Sequence, residues 1–162
     1  MQSTGFELDL GWRDRIKDFD YGVHLLLSDD RQKILKYPNT TGKINTWYVG
    51  KYNGDIWGFE TIGIAKSQEE MDAHLASLPN GGQDALGVKW GAGDIMYRDL
   101  NGDGKISDGA TLNDPGDKKV IGNSSPRFRF GLDLNASWKG IDVRLFFQGV
   151  AKRDAWLNDN MF

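Results

Sequence analysis

The sequence predicts an all-β protein assembled from antiparallel hairpins, and three observations support that class. Apolar and polar residues alternate with period two at both ends of the chain, the pattern of strands whose two faces meet unlike environments. A short polar turn divides each alternating region into a pair. The 162 residues also include 21 glycines, 6 tryptophans and 8 phenylalanines against 4 prolines, which favours strands and turns over helices.

The first strand is expected over about 5–13, where Phe6, Leu8, Leu10 and Trp12 alternate with Glu7, Asp9, Gly11 and Arg13. The second is expected over about 20–28, where Tyr21, Val23, Leu25 and Leu27 share a face. The turn between them runs from Asp14 to Asp20. The third, over about 127–138, sets Phe128, Phe130, Leu132, Leu134, Ala136 and Trp138 against Arg129, Gly131, Asp133, Asn135 and Ser137. Lys139-Gly140 turns the chain into a fourth strand over about 141–149, with Ile141, Val143, Leu145 and Phe147 on one side. Trp12, Tyr21 and Trp138 all lie beside the two turns, as interfacial rings do at the rim of a membrane barrel. Aromatics that close the core of a soluble sandwich would lie there too. The third strand matches the roughly 9–11 residues of a tilted membrane strand and exceeds the roughly 5–6 of an average soluble one.

Between the pairs lies a connection over about 29–125. A loop of roughly a hundred residues needs structure of its own. Ser67 and Glu70 form a capping box, and Met71, Leu75 and Leu78 recur on one face, so a short helix is expected before Pro79-Asn80-Gly81-Gly82. Extended pieces are expected at Trp47-Tyr48-Val49 and Ile56-Trp57-Gly58-Phe59.

Several function classes drop out. A net charge of −3 and a pI near 5.3 argue against nucleic-acid binding. With no cysteine there are neither disulfides nor thiolate metal sites. No apolar run reaches the roughly 20 residues of a spanning helix. No signal peptide begins at Met1, so for a chain that belongs in an outer membrane the export signal is expected upstream. His24 and His74 stand far apart, and no nucleophile triad, phosphate loop or dinucleotide fingerprint is present, so an enzyme is not expected. Mean hydropathy, at −0.53, does not separate a soluble β protein from a barrel.

One motif carries definite chemistry. Asp99-Leu100-Asn101-Gly102-Asp103-Gly104-Lys105-Ile106 matches the first eight positions of a calcium loop, with oxygen donors at alternate positions. Asp99, Asn101 and Asp103 offer side-chain oxygens, Lys105 its backbone carbonyl, and Gly104 the sharp turn. The twelfth position, where a carboxylate is needed, holds Ala110. Asp108 falls at the tenth, and Asp117 follows an insertion, Gly109–Gly116, that postpones the last ligand. Structural Ca²⁺ is the expected cofactor.

Gly93-Asp94-Ile95-Met96-Tyr97-Arg98-Asp99-Leu100-Asn101-Gly102-Asp103-Gly104 is similar to the G-D-I-x-Y-x-D-x-N-G-D-G signature of SusC/RagA-type, TonB-linked outer-membrane transporters. The likeness continues through Ile121-Gly122-Asn123-Ser124-Ser125-Pro126-Arg127-Phe128, Trp138-Lys139-Gly140-Ile141-Asp142 and Phe146-Phe147-Gln148-Gly149-Val150. Upstream, Gly50 to Gly63 shares it. The resemblance implies that residues 1–162 form part of a transmembrane β-barrel, with 29–125 as an extracellular loop holding the helix and the calcium turn. It implies a barrel of about 22 strands, of which four are here, without the plug domain, the TonB box or the closing strands.

For the whole protein the resemblance implies uptake of oligosaccharides, or of peptides, across a Gram-negative outer membrane. The partners would be a SusD-like lipoprotein lid, the TonB–ExbB–ExbD complex acting through an N-terminal part, the glycan or peptide ligand, and outer-membrane lipid. Trp47, Tyr48, Trp57 and Phe59 would then lie in extracellular structure and contact ligand or lid, unless they fill the loop's own core. The rival reading is a soluble, calcium-stabilised carbohydrate-binding or dockerin-like module of a secreted protein. In isolation the chain is expected to aggregate without detergent, through its open strand edges and uncovered apolar face.

Overall fold

The computed structural model describes residues 1–156. The chain divides into two compact units. One comprises 1–35, 52–54 and 123–156, and the other comprises 36–51 and 55–122.

The first unit is a four-stranded antiparallel sheet in the order β1-β2-β7-β8. Its strands are β1 (Gln2–Ile16), β2 (Phe19–Lys33), β7 (Arg127–Trp138) and β8 (Ile141–Lys152). The first pair is longer than the alternation indicated. Its register runs unbroken from Gln2↔Lys33 to Ile16↔Phe19, and the turn shrinks to Lys17-Asp18, with Lys17 at φ 55°. At the far end backbone pairing carries the ladder past the apolar residues, through Thr4↔Arg31 to Gln2↔Lys33, and at the turn it runs on to the apolar pair Ile16↔Phe19. Lys139 and Gly140 take φ 48° and 86°, the two left-handed residues of a type I′ hairpin turn.

Register sorts the side chains into faces, because residues directly opposite in a ladder point the same way. Leu8, Leu27 and Phe130 form one row, Leu10, Leu25, Leu132 and Phe147 the next, then Trp12, Val23, Leu134 and Leu145. The last rows are Tyr21, Ala136 and Val143, then Ile16, Phe19, Trp138 and Ile141. This apolar face is uncovered, with Leu10 at 53% and Phe147 at 51% exposure. The opposite face carries Asp9, Arg13, His24, Asp133, Asn135 and Arg144 around a shallow depression at Gly11. There His24 Nε2 lies 2.6 Å from Asp9 Oδ1, and Arg144 holds Asp133 from two nitrogens. Leu26 and Phe146 are apolar exceptions on that side.

At the end away from the turns, Arg127 grips both oxygens of the buried Asp29, while Arg129 pairs with Asp30. Phe128 stands between them at φ 52° and donates its N–H to Asp29 Oδ1 at 3.2 Å. A bulky residue in the left-handed region is strained, and the Asp29 clamp holds it there. Tyr52 pairs with Lys33 just beyond, Asn53 donates to Gln32 O at 2.9 Å, and Ser124 donates to Gly54 O at 2.8 Å.

The second unit holds two small ribbons and a helix. Sequence reasoning named Ile56–Phe59, which becomes β3 (Asp55–Phe59), but did not foresee its partner β6 (Lys118–Asn123) or the ribbon of β4 (Thr61–Ile64) with β5 (Ile95–Tyr97). Trp47–Val49 is not a strand. The backbone turns there instead, with Lys51 N on Tyr48 O at 3.2 Å, and the Lys51 ammonium donates back to Ile44 O and Thr46 O. Helix α1 (Gln68–Ala76) starts at Ser67, whose Oγ accepts from Glu70 N, while Glu70 Oε2 accepts from Lys66 N at 2.7 Å, one residue before the N–H a capping box uses. Met71 is fully buried and packs with Ala65, Met96, Leu75 and Trp90. Gln83, also fully buried, takes Tyr97 N and His74 Nε2 on one oxygen and donates to Ile95 O, joining the turn after α1 to β5. No helix is long and apolar enough to cross a membrane among the described residues.

Candidate metal site

The turn from Asp99 to Lys105 is held by its own side chains. Asp99 accepts from Gly102 N at 2.6 Å and Gly104 N at 2.8 Å, Asn101 Oδ1 accepts from Asp103 N, and Asp103 Oδ1 accepts from Lys105 N. These bonds wrap the backbone around the carboxylates and bring Asp99 and Asp103 together, with the Asn101 amide donating to Asp103 Oδ2 at 3.2 Å. Burial pushes the Asp99 carboxyl up, but the N–H groups of Gly104, Gly102 and Asp103 outweigh it and hold the group below its usual range. Asn80 ties the turn down, donating its N–H to Gly104 O and its amide to Asp103 O. Ile106 follows, 1% exposed, with its N–H on Gly82 O.

Asp117 completes the cluster. It is 0% exposed, and its carboxylate accepts from Leu100 N at 2.7 Å, Ser107 N at 2.6 Å and the Ser107 hydroxyl at 3.2 Å. One carboxylate oxygen from each of Asp99, Asp103 and Asp117 lies within 4.8 Å of the others. Asp108 is elsewhere: half of its side chain is exposed, and it pairs with Lys118. The Lys105 backbone bridges to Gly82 beside the turn.

The residues between are folded out of the way. Asp108 and Gly116 face each other, Asp117 N donates to Ser107 O, and the loop from Gly109 to Pro115 leaves and returns through that neck. A Cβ on Gly109 would meet Gly116 N at 2.1 Å, so only glycine permits the strands of the neck to approach this closely. The loop's tip pairs with the preceding arm through Ile44 N to Ala110 O and Leu112 N to Gly42 O.

Three carboxylates and a side-chain amide carbonyl make an all-oxygen donor set with no soft ligand, the chemistry of a hard divalent cation. The Asp99 oxygens and Asp117 Oδ1, each engaged by one N–H, keep a lone pair for metal, whereas Asp117 Oδ2 already takes two donors from Ser107.

The four aromatic candidates have different surroundings. Tyr48 is buried, and its hydroxyl accepts from Trp57 Nε1 at 3.1 Å, with the two rings edge to face. Phe59 packs on Tyr97 with centroids 5.5 Å apart. Trp47 alone of the four is classed as exposed, and Lys51 Nζ sits 5.7 Å from its ring centre. Sequence reasoning missed the glycine neck and Ser107. The Gly109 and Gly116 pair flanking the insertion was the one available sign.

No protein-family model matches the chain. It is similar to TonB-dependent receptor P26 of Formosa agariphila, at 29% identity over 168 residues, which covers 96% of this chain and 15% of that protein. It is similar also to TonB-dependent receptor P3 of the same organism, at 23% identity over 162 residues, covering 91% of this chain and 15% of that protein. The chain therefore spans about 15% of the length of the curated relatives it matches.

Proposed function

We propose that this chain is a piece of the barrel wall of an outer-membrane, TonB-dependent transporter of the SusC/RagA kind, with a calcium-pinned loop between its second and third long strands. The observation that carries the reading is the apolar face, continuous over four strands and uncovered on one side, with a polar face behind it. From Leu8 to Ile16 the band runs eight residues, about 27 Å along a strand, and a tilt of about 40° makes that roughly 21 Å of height, close to the apolar band of such barrels. Trp12, Phe19, Tyr21 and Trp138 crowd the turn end, where interfacial rings belong. The similarity to TonB-dependent receptors over nearly the whole chain supports the same reading.

In the whole protein the polar face would line the lumen. Transport of an oligosaccharide, or a peptide, would depend on a SusD-like lid and on energy from TonB, and the SusC-type signature at Gly93–Gly104 is what favours that ligand class. Calcium would bind Asp99, Asn101, Asp103 and Asp117. Its part is to fix the turn, not to react.

The test is partition of the expressed chain between buffer and detergent micelles, with β structure followed by circular dichroism and calcium titrated separately. The reading expects β signal that requires detergent. A chain that is monomeric and fully folded in plain buffer with calcium would replace it with the soluble carbohydrate-binding module.

A further inference from the structure

The apolar face does not end in a plain polar border at the end opposite the turns. Above Leu27, the next residues of β2 on the same side are Asp29, Arg31 and Lys33. Asp29 is neutralised by Arg127, and Asp30 on the other face by Arg129. Arg31 and Lys33 form no ion pair among the described residues, and both lie 5.5 Å from the centre of the same ring, Tyr52. Tyr52 is fixed opposite Lys33 by a backbone bridge. Two cations thus gather on one aromatic ring, with Arg31 exposed and Lys33 and Tyr52 half-buried.

Height decides what they meet. Leu27 to Arg31 is four residues, about 14 Å along the strand and roughly 10 Å of height at a tilt near 40°. Phe19 to Lys33 is fourteen residues, about 48 Å of strand and roughly 36 Å of height, inside the roughly 40–45 Å of a bilayer with its headgroups. The ring lies at headgroup level while the cations project from the lipid-facing side, too far above the last leucine row to be in hydrocarbon. Two cations there are complementary to phosphate, and the apolar rows directly below are complementary to acyl chains.

We propose that Arg31, Lys33 and Tyr52 form a binding site for the phosphate of an anionic lipid headgroup in the outer leaflet. The inference rests on the membrane reading above. Arg31 makes the stronger contact, because its planar guanidinium engages two phosphate oxygens at once, and Lys33 adds a point charge. Tyr52 holds both side chains over its ring.

The experiment uses the whole chain in neutral detergent micelles titrated with phosphatidic acid, with phosphatidylcholine, and with inorganic phosphate alone, reading bound lipid by native mass spectrometry. The chain is expected to retain phosphatidic acid over phosphatidylcholine. R31Q/K33Q should weaken that preference about thirtyfold, at about one charge contact each. R13Q, which removes a cation from the polar face, should leave it unchanged. Equal weakening by R13Q would overturn the proposal in favour of general charge attraction, and equal binding of inorganic phosphate would overturn it in favour of a free-anion site. If the chain enters micelles but shows no headgroup preference, the lipid site fails alone. If it needs no detergent to fold, the barrel reading fails first.

Discussion

The carboxylate of Asp117 reaches back to Ser107 and takes both its backbone N–H, at 2.6 Å, and its hydroxyl, at 3.2 Å. That contact excises the insertion from the Asp99–Lys105 turn. The chain leaves at Gly109, returns at Gly116, and brings the Asp117 carboxylate to those of Asp99 and Asp103. The neck is therefore the feature most sensitive to added atoms.

Gly116 sits at φ 59°, with a hypothetical Cβ 2.3 Å from Ser107 O, whereas Gly102 sits at φ 75° with open space around it. G116A is expected to destabilise the loop unit by about 3 kcal/mol, through backbone strain plus overlap with main-chain atoms. G102A should cost about 1 kcal/mol, the left-handed backbone alone. Urea unfolding with calcium present separates them, and equal effects would contradict the neck.

Ligand identity follows from the same geometry. D117N keeps the shape of the side chain but removes a buried charge, and calcium affinity should fall roughly tenfold or more. D108N loosens only the pair with Lys118 and should change affinity less than about twofold. Titration calorimetry measures both. A larger loss for D108N would move the last ligand to Asp108.

The loop unit should also lose stability in acid through Glu60. The Lys119 ammonium bonded to Glu60, helped by Arg98, holds its carboxyl below the ordinary 4.5 against a smaller opposing effect of burial. A depressed folded value means the contribution is complete above pH 4.5 and is lost as pH falls through that lower value. Acid titration of unfolding in E60Q should therefore be flatter below pH 4.5 than in the parent chain. An unchanged slope would show the pair contributes nothing.

The aromatic residues divide by burial. Y48A should destabilise the loop unit by about 3 kcal/mol, since it empties a packed site and leaves Trp57 N–H without its acceptor. W47A should cost less than about 1 kcal/mol, because the ring is at the surface. Thermal melts distinguish them.

The long strands were legible because an apolar face repeats every second residue through Phe6–Trp12, Tyr21–Leu27, Phe130–Trp138 and Ile141–Phe147. Their ends were not, since Gln2–Thr4 and Arg31–Lys33 pair through backbone with no polarity signal. Helix α1 was readable from Ser67 and Glu70, side chains that act locally. β4, β5 and β6 were not, because each is six residues or fewer and is defined by a distant partner. In the metal site, Asp99, Asn101 and Asp103 stood in a local motif, but the seating of Asp117 against Leu100 and Ser107 depends on the closed neck, a contact that spacing does not encode.

The most direct test of the central claim uses the absence of cysteine. Single changes such as L132C, D133C, L134C, N135C, V143C and R144C, each spin-labelled in micelles or bilayers, report contact with oxygen, which concentrates in lipid, or with a water-soluble nickel chelate. The account predicts a period-two pattern, with 132, 134 and 143 oxygen-accessible and 133, 135 and 144 nickel-accessible. Equal nickel access on both faces of a folded chain would contradict it, and the sheet would then belong to a soluble protein.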